Sequence, residues 1–295
     1  MIWSNEFPQI ADSSLRALSK SIDAGYLSFS RAYGAEIEAF FEPLLYFLIW
    51  FERLLLGSPW WLVIAATAGI GFLASRSTKL VIGIVIALSL IGLFGMWENT
   101  MRTMAMILVC TLLSIVIGIP IGIFMSRSNR GQKMILPVLD VMQTMPSFVY
   151  LIPVVMLLGI GRVPGLIAVV IYAIPPVIRL TNLGIRLVDK EALEAADAFG
   201  ASRFQKLMRV QLPLALPNIM AGINQTIMMA LAMVVIASMI GVRGLGQPVL
   251  QAVTNQYFAL GLFNGIAVVV LAIIFDRVTQ SFGLRLQKHR EGARQ

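Results

Sequence analysis

Charge is what this chain has least of. Only 13% of its 295 residues are Asp, Glu, Lys or Arg, against about 25% in an average soluble domain. A fold of this size cannot hide 58% apolar residues behind so thin a charged surface, because exposed apolar area aggregates in water. A soluble globular protein and a disordered one are both excluded, and lipid is the solvent for most of the chain. Histidine and cysteine are almost absent, with His289 near the C-terminus and Cys110 inside an apolar run. An intrachain disulfide framework, a multi-cysteine or histidine metal cluster and histidine catalysis within the membrane therefore drop out. The first 20 residues hold no apolar run long enough for a secretory signal, so an internal segment is expected to drive insertion. The net charge of +8 fits basic cytoplasmic loops better than a nucleic-acid surface.

What is there is a series of apolar runs of membrane-helix length. They fall near 58–75, 79–97, 103–125, 145–161, 163–181, 216–240 and 258–276, predicting an all-α polytopic protein of about seven transmembrane helices. The fourth run carries Pro146 and Pro153, tolerable where neighbours or a cavity satisfy the freed backbone. Residues 40–56 are apolar but hold Glu42, Pro43, Glu52 and Arg53. They read as an amphipathic helix at the membrane surface, with an eighth span as the alternative.

Basic residues set the orientation. With the N-terminus outside, the inner segments 76–79, 126–140, 179–209 and 277–295 hold 2, 3, 6 and 5 Lys/Arg, while the short outer loops hold only Arg102, Arg162 and Arg243. The tail 1–57 has four basic and seven acidic residues, so it can sit outside. Trp60, Trp61 and Trp97 then fall in the outer aromatic belt. The expected topology is N-out and C-in, with a basic cytoplasmic tail over 281–295.

The inner loop 182–215 is long beside the other connections. Asp189 suits an N-cap, and Glu191 and Glu194 in the first turn favour the helix dipole. Ala192, Leu193, Ala195, Ala196 and Phe199 make a small-residue face ending in one bulky side chain. Gly200 stops the helix, Ser202 can cap a second one carrying Arg203, Lys206 and Arg209, and Pro213 and Pro217 mark entry into the sixth span. A small-residue helix of this kind suits a partner's groove.

That loop resembles the signature of ABC importer permease subunits: Glu-Ala-Ala, three residues, Gly, nine residues, Ile or Val, one residue, Leu-Pro. Here Glu194-Ala195-Ala196, Gly200, Val210, Leu212 and Pro213 stand at those spacings. The runs 141–153, 181–186 and 211–252 are similar to the glycine betaine/proline betaine permease group, and the likeness covers roughly 58–280. The resemblance implies a type I importer permease fold (MetI-like) in a bacterial cell inner membrane. It implies two permease subunits as a homodimer, two cytoplasmic ATPase subunits and an external substrate-binding protein. Glu191, Glu194, Ala195, Ala196, Phe199, Gly200, Arg203, Leu212 and Pro213 would then couple to the ATPase. The chain is not expected to be an enzyme or to hold a cofactor. GVRGLG (241–246) and GIGRVPG (159–165) lack the Lys-Ser/Thr of a phosphate loop and read as tight outer turns, so ATP belongs to the partner.

Candidate pathway residues are Gln143, Ser147, Tyr150, Asn224, Gln225 and Met228. Polar groups in lipid face an interior or a water-filled path, and for Asn224 and Gln225 a pathway and an interhelical bond are equally good readings. Gly118/Gly122 and Gly261/Gly265 have close-packing spacing and are expected to pack within one subunit. Choline or carnitine importer permease is the alternative substrate reading. An ion-coupled carrier is disfavoured because the span interiors lack the buried acidic groups such carriers use.

Overall fold

A computed structural model describes residues 10–291, with side chains through Arg285. His289 and the end of the basic tail lie outside the described side chains. Regular structure among the described residues is helical: α1 Asp12–Gly57, α2 Trp60–Ser75, α3 Thr78–Leu93, α4 Trp97–Arg127, α5 Asn129–Thr144, α6 Ser147–Leu158, α7 Arg162–Ala173, α8 Pro175–Arg186, α9 Lys190–Ala198, α10 Arg203–Lys206, α11 Leu212–Ala237, α12 Gly246–Asn255 and α13 Phe258–Glu291. A π-helical turn, Leu207–Gln211, joins α10 to α11, and a 3-10 turn, Ser238–Ile240, follows α11.

Four stretches are long and apolar enough to cross a membrane: Trp97–Arg127, Arg162–Arg186, Arg203–Ile240 and Phe258–Arg285. Two further pairs qualify together across sharp bends, α1 with α2 at 110° and α5 with α6 at 100°. α3 is shorter, with 16 residues. The fifth predicted run proves to be α7 and α8 in tandem. Pro175 and Pro176 lack N–H groups, so the helix changes direction there without losing its course.

The core is α8 between α4 and α11. Small residues allow the approach: Gly118 lies on Val177, and a Cβ on Gly122 would come within 2.6 Å of Thr181. On the other face, a Cβ on Gly184 would meet Asn218 at 2.7 Å, and one on Gly222 the backbone of Val177 at 3.1 Å. Gly118/Gly122 thus pack within the subunit. The second pair divides: Gly261 faces Ala252 of α12, whereas Gly265 faces open space.

The segment 40–56 is the last third of α1, a helix about 69 Å long at 1.5 Å per residue. Tyr26, Ser30 and Gly34 share one face of it. The Tyr26 hydroxyl donates to the Pro153 carbonyl, and Ser30 Oγ donates to Met156 O and Leu157 O at 3.2 and 3.1 Å. Gly34 lets α1 close on Leu157. The Ser30 hydroxyl thereby reaches carbonyls at the end of α6 that have no helical partner. Further along, Glu52 pairs with Arg102 of α4 (3.4 Å) and Arg162 of α7 (3.1 Å). Its side chain is only 12% exposed, and two cations hold it there.

Candidate functional site

The inner loop folds as its local chemistry requires. Asp189 accepts a hydrogen bond from the Glu191 amide at 3.2 Å and caps α9. At the other end Gly200 adopts φ +73°. Its amide donates to Asp197 O at 2.9 Å and the Ala201 amide to Ala196 O at 3.0 Å, the paired bonds of a glycine-terminated helix. Ser202 and Gln205 cap α10 reciprocally, at 3.3 and 2.9 Å, and Lys206 pairs with Asp197 across the hairpin. Each helix end is closed by its own sequence, so a nine-residue helix holds its shape outside the bundle.

Glu191, Glu194, Ala195, Phe199, Gly200 and Arg203 are all exposed on this hairpin. Phe199 is 92% exposed, an unusual position for a phenylalanine with nothing to cover it. The small-residue face is split: Ala192, Leu193 and Ala196 are half-buried, while Ala195 and Phe199 point away. Leu212 packs at the root of the hairpin with Ile185, Leu207, Ala215 and Ile219, and Pro213 lies in the first turn of α11.

The root holds residues that motif reading did not single out. Arg186 Nε donates to Asn182 Oδ1 (3.0 Å), Nη1 to Asn129 Oδ1 (2.8 Å) and Nη2 to Met125 O (2.9 Å). One guanidinium thereby ties the end of α8 to the α4–α5 turn. Arg179, about two turns earlier on α8, pairs with Asp140 of α5. The signal available in sequence was an Asn and an Arg four apart at the mouth of the loop.

A second feature is a cavity of 540 Å³ between α8, α11 and α13, whose polar lining comes from Asn224, Gln225, Thr279 and Gln280. Asn224 Nδ2 donates to Asp276 Oδ1 at 2.9 Å, and the Thr279 hydroxyl donates to Asn224 Oδ1. Gln280 Nε2 donates to the same Asp276 oxygen at 2.7 Å. Asn224 thus makes the interhelical bond and lines the cavity as well, while Gln225 faces the cavity. Tyr150 is buried against Tyr172, with ring centroids 5.7 Å apart, and its hydroxyl donates to Met142 O. Ser147 opens α6 at the 100° bend, Gln143 is exposed on α5, and Met228 is exposed on α11.

A bundle of membrane-length helices that carries a capped hairpin between α8 and α11 defines a class, an integral membrane protein with an exposed docking element. Residues 114–288 match the family described as "Binding-protein-dependent transport system inner membrane component", and the chain belongs to that family. It is 50% identical over 241 residues to the "Glycine betaine/proline betaine transport system permease protein ProW" of Escherichia coli, covering 82% of this chain and 68% of that protein. It is also 50% identical over 226 residues to the "Glycine betaine/carnitine transport permease protein GbuB" of Listeria monocytogenes, covering 76% and 80%. Among solved structures, the inward-facing MetNI methionine ABC transporter aligns with a TM-score of 0.57 at 20% identity, over 63% of this chain and 93% of that one. That likeness establishes the fold. The chain is an inner-membrane permease component, and permease components transport rather than catalyse.

Proposed function

We propose that this permease serves an ATP-driven importer of glycine betaine, proline betaine or related quaternary-ammonium solutes. The observation that carries this is the 50% identity to permeases whose names share glycine betaine. Two copies form the pathway, a separate ATPase pair docks on the α9 hairpins, and an external binding protein delivers the solute. ATP stays with the ATPase, and this chain needs no cofactor. The ends of the bundle face N-out and C-in, with α2, α3, α4, α6, α7–α8, α11 and α13 as the crossings. α1 lies along the outer surface, which its 110° bend from α2 favours. Glu191, Glu194, Ala195, Ala196, Phe199, Gly200 and Arg203 meet the ATPase, with Leu212 and Pro213 seating the hairpin on α11. Gln225 and Asn224 line the inner half of the pathway, and Gln143, Ser147, Tyr150 and Met228 flank it.

The test is uptake of labelled glycine betaine in cells lacking other osmoprotectant importers. The cells carry this permease with its binding protein and either an active or a hydrolysis-dead ATPase. Uptake is expected only with the active ATPase and is expected to be competed by proline betaine. Uptake that persists with the dead ATPase would overturn the coupling, and ATPase-dependent transport without any betaine uptake would overturn the substrate.

A further inference from the structure

An apolar groove of 280 Å³ runs between α3 and α13, walled by Leu80, Gly83, Ile84, Ala87 and Ile273, with Lys79 at one end. Three helices bring cations to that end. Arg76 ends α2, Lys79 begins α3, and Arg285 of α13 donates to Leu73 O beside them. Among the described residues, none of the three makes an ion pair. No Asp or Glu occurs between Glu52 and Glu98. Arg76 is held at φ +53°, a left-handed conformation that glycine would adopt without the cost an arginine incurs. The turn tolerates a cation where the backbone prefers none.

We propose that this groove holds an anionic phospholipid of the inner leaflet, one acyl chain along α3 and α13 and the phosphate between Arg76, Lys79 and Arg285. Charge complementarity selects the headgroup, since basic clusters between membrane helices on the cytoplasmic side attract anionic lipid. Depth selects a lipid over a free anion, because the walls beyond Lys79 are aliphatic. The open space around Gly83 leaves room for a chain. The assignment rests on the inward placement of the α2–α3 turn proposed above, but its readout is lipid retention rather than uptake.

The experiment uses the purified permease–ATPase complex in detergent and counts bound lipid by native mass spectrometry. The probes are phosphatidylglycerol, phosphatidylcholine with the same chains, and glycerol 1-phosphate. Phosphatidylglycerol should be retained preferentially. Arg76→Gln and Lys79→Gln should each weaken that preference by about fivefold. Gly83→Leu, whose Cβ has open space and whose side chain would extend into the groove, should reduce retention of both lipids. Arg243→Gln, in another turn, should change neither. Equal retention of the two lipids, an undiminished preference in the double Arg76→Gln/Lys79→Gln variant, or displacement by glycerol 1-phosphate would each overturn the site. If a second copy or a partner subunit covers the groove, Gly83→Leu leaves lipid retention unchanged, and the proposal fails.

Discussion

Gly200 ends α9 where the sequence places a helix stop, but the physical restriction there differs from the one its spacing suggests. The spacing marks it as a turn that a side chain would obstruct, yet a Cβ there meets nothing within 4 Å. The restriction is conformational, arising from φ +73°, and an L side chain in that region costs about 1–2 kcal/mol. Gly200→Ala is therefore expected to lower solute transported per ATP hydrolysed, and Gly200→Asn, which tolerates the left-handed region, to lower it less. Equal coupling ratios in all three proteins would remove the turn from the mechanism. Gly118 is the opposite case, where the limit is space. Gly118→Leu should drive α4 off Val177 and destabilise the purified subunit by about 1–3 kcal/mol, measured as a lower unfolding temperature. Gly265→Leu, facing open space, should leave that temperature unchanged. Both glycine pairs look alike in sequence, because their spacing says nothing about which neighbour arrives.

At the scale of elements, the hairpin around α9 was legible and α1 largely was not. Caps are local: Asp189, Gly200 and Ser202 each act within a few residues, so their positions can be read without knowing the fold. The register of α1 depends on distant partners. Its apolar residues recur at helical spacing through Leu15, Leu18, Ile22, Tyr26, Phe29 and Tyr33, yet Leu15, Leu18, Ile22, Phe29 and Tyr33 remain exposed. No long apolar run announces such a stripe. What seats the part of α1 around Tyr26–Gly34 is its contact with the end of α6, and Gly34 is the tightest point there, with a Cβ 3.1 Å from Leu157 O. Gly34→Leu should lift this part of α1 and increase protease cleavage between 12 and 40 in intact complex, whereas Gly25→Leu, facing open space, should not. The staple at Arg186 belongs to the same class of long-range feature. Arg186→Gln removes bonds to the α4–α5 turn worth about 1.5–3 kcal/mol each when a charged group is involved. It is expected to leave the bundle folded while ATP hydrolysis loses its dependence on solute and binding protein.

For the molecule as a whole, the central feature is that α8 enters the hairpin and α11 leaves it, while the two pack face to face through Gly184 and Gly222. Under the coupling proposed above a force on α9 would act on both at once, and on the α11 side that route runs through the π-helical turn Leu207–Gln211. Such turns often mark functional positions in helices. This arrangement transmits work only if the hairpin faces the cytoplasm, so orientation is the property on which the mechanism depends. The positive-inside count predicts that placement, and the chain itself makes the test clean. Its single cysteine, Cys110, is buried in α4, so an introduced thiol is read against no accessible background. Lys79→Cys and Lys190→Cys should react with a membrane-impermeant maleimide only in inside-out vesicles, and Arg243→Cys and Asn255→Cys only in right-side-out cells. The reverse pattern would turn the hairpin away from ATP and make ATPase coupling through α9 physically impossible. A mixed pattern, with Lys79 and Lys190 on opposite sides, would change the number of crossings between them from even to odd. That would remove one of the four segments between those lysines, α3, α4, the bent α5–α6 pair or α7–α8, as a crossing, and the short α3 and the bent pair are the two that do not qualify alone by length and composition.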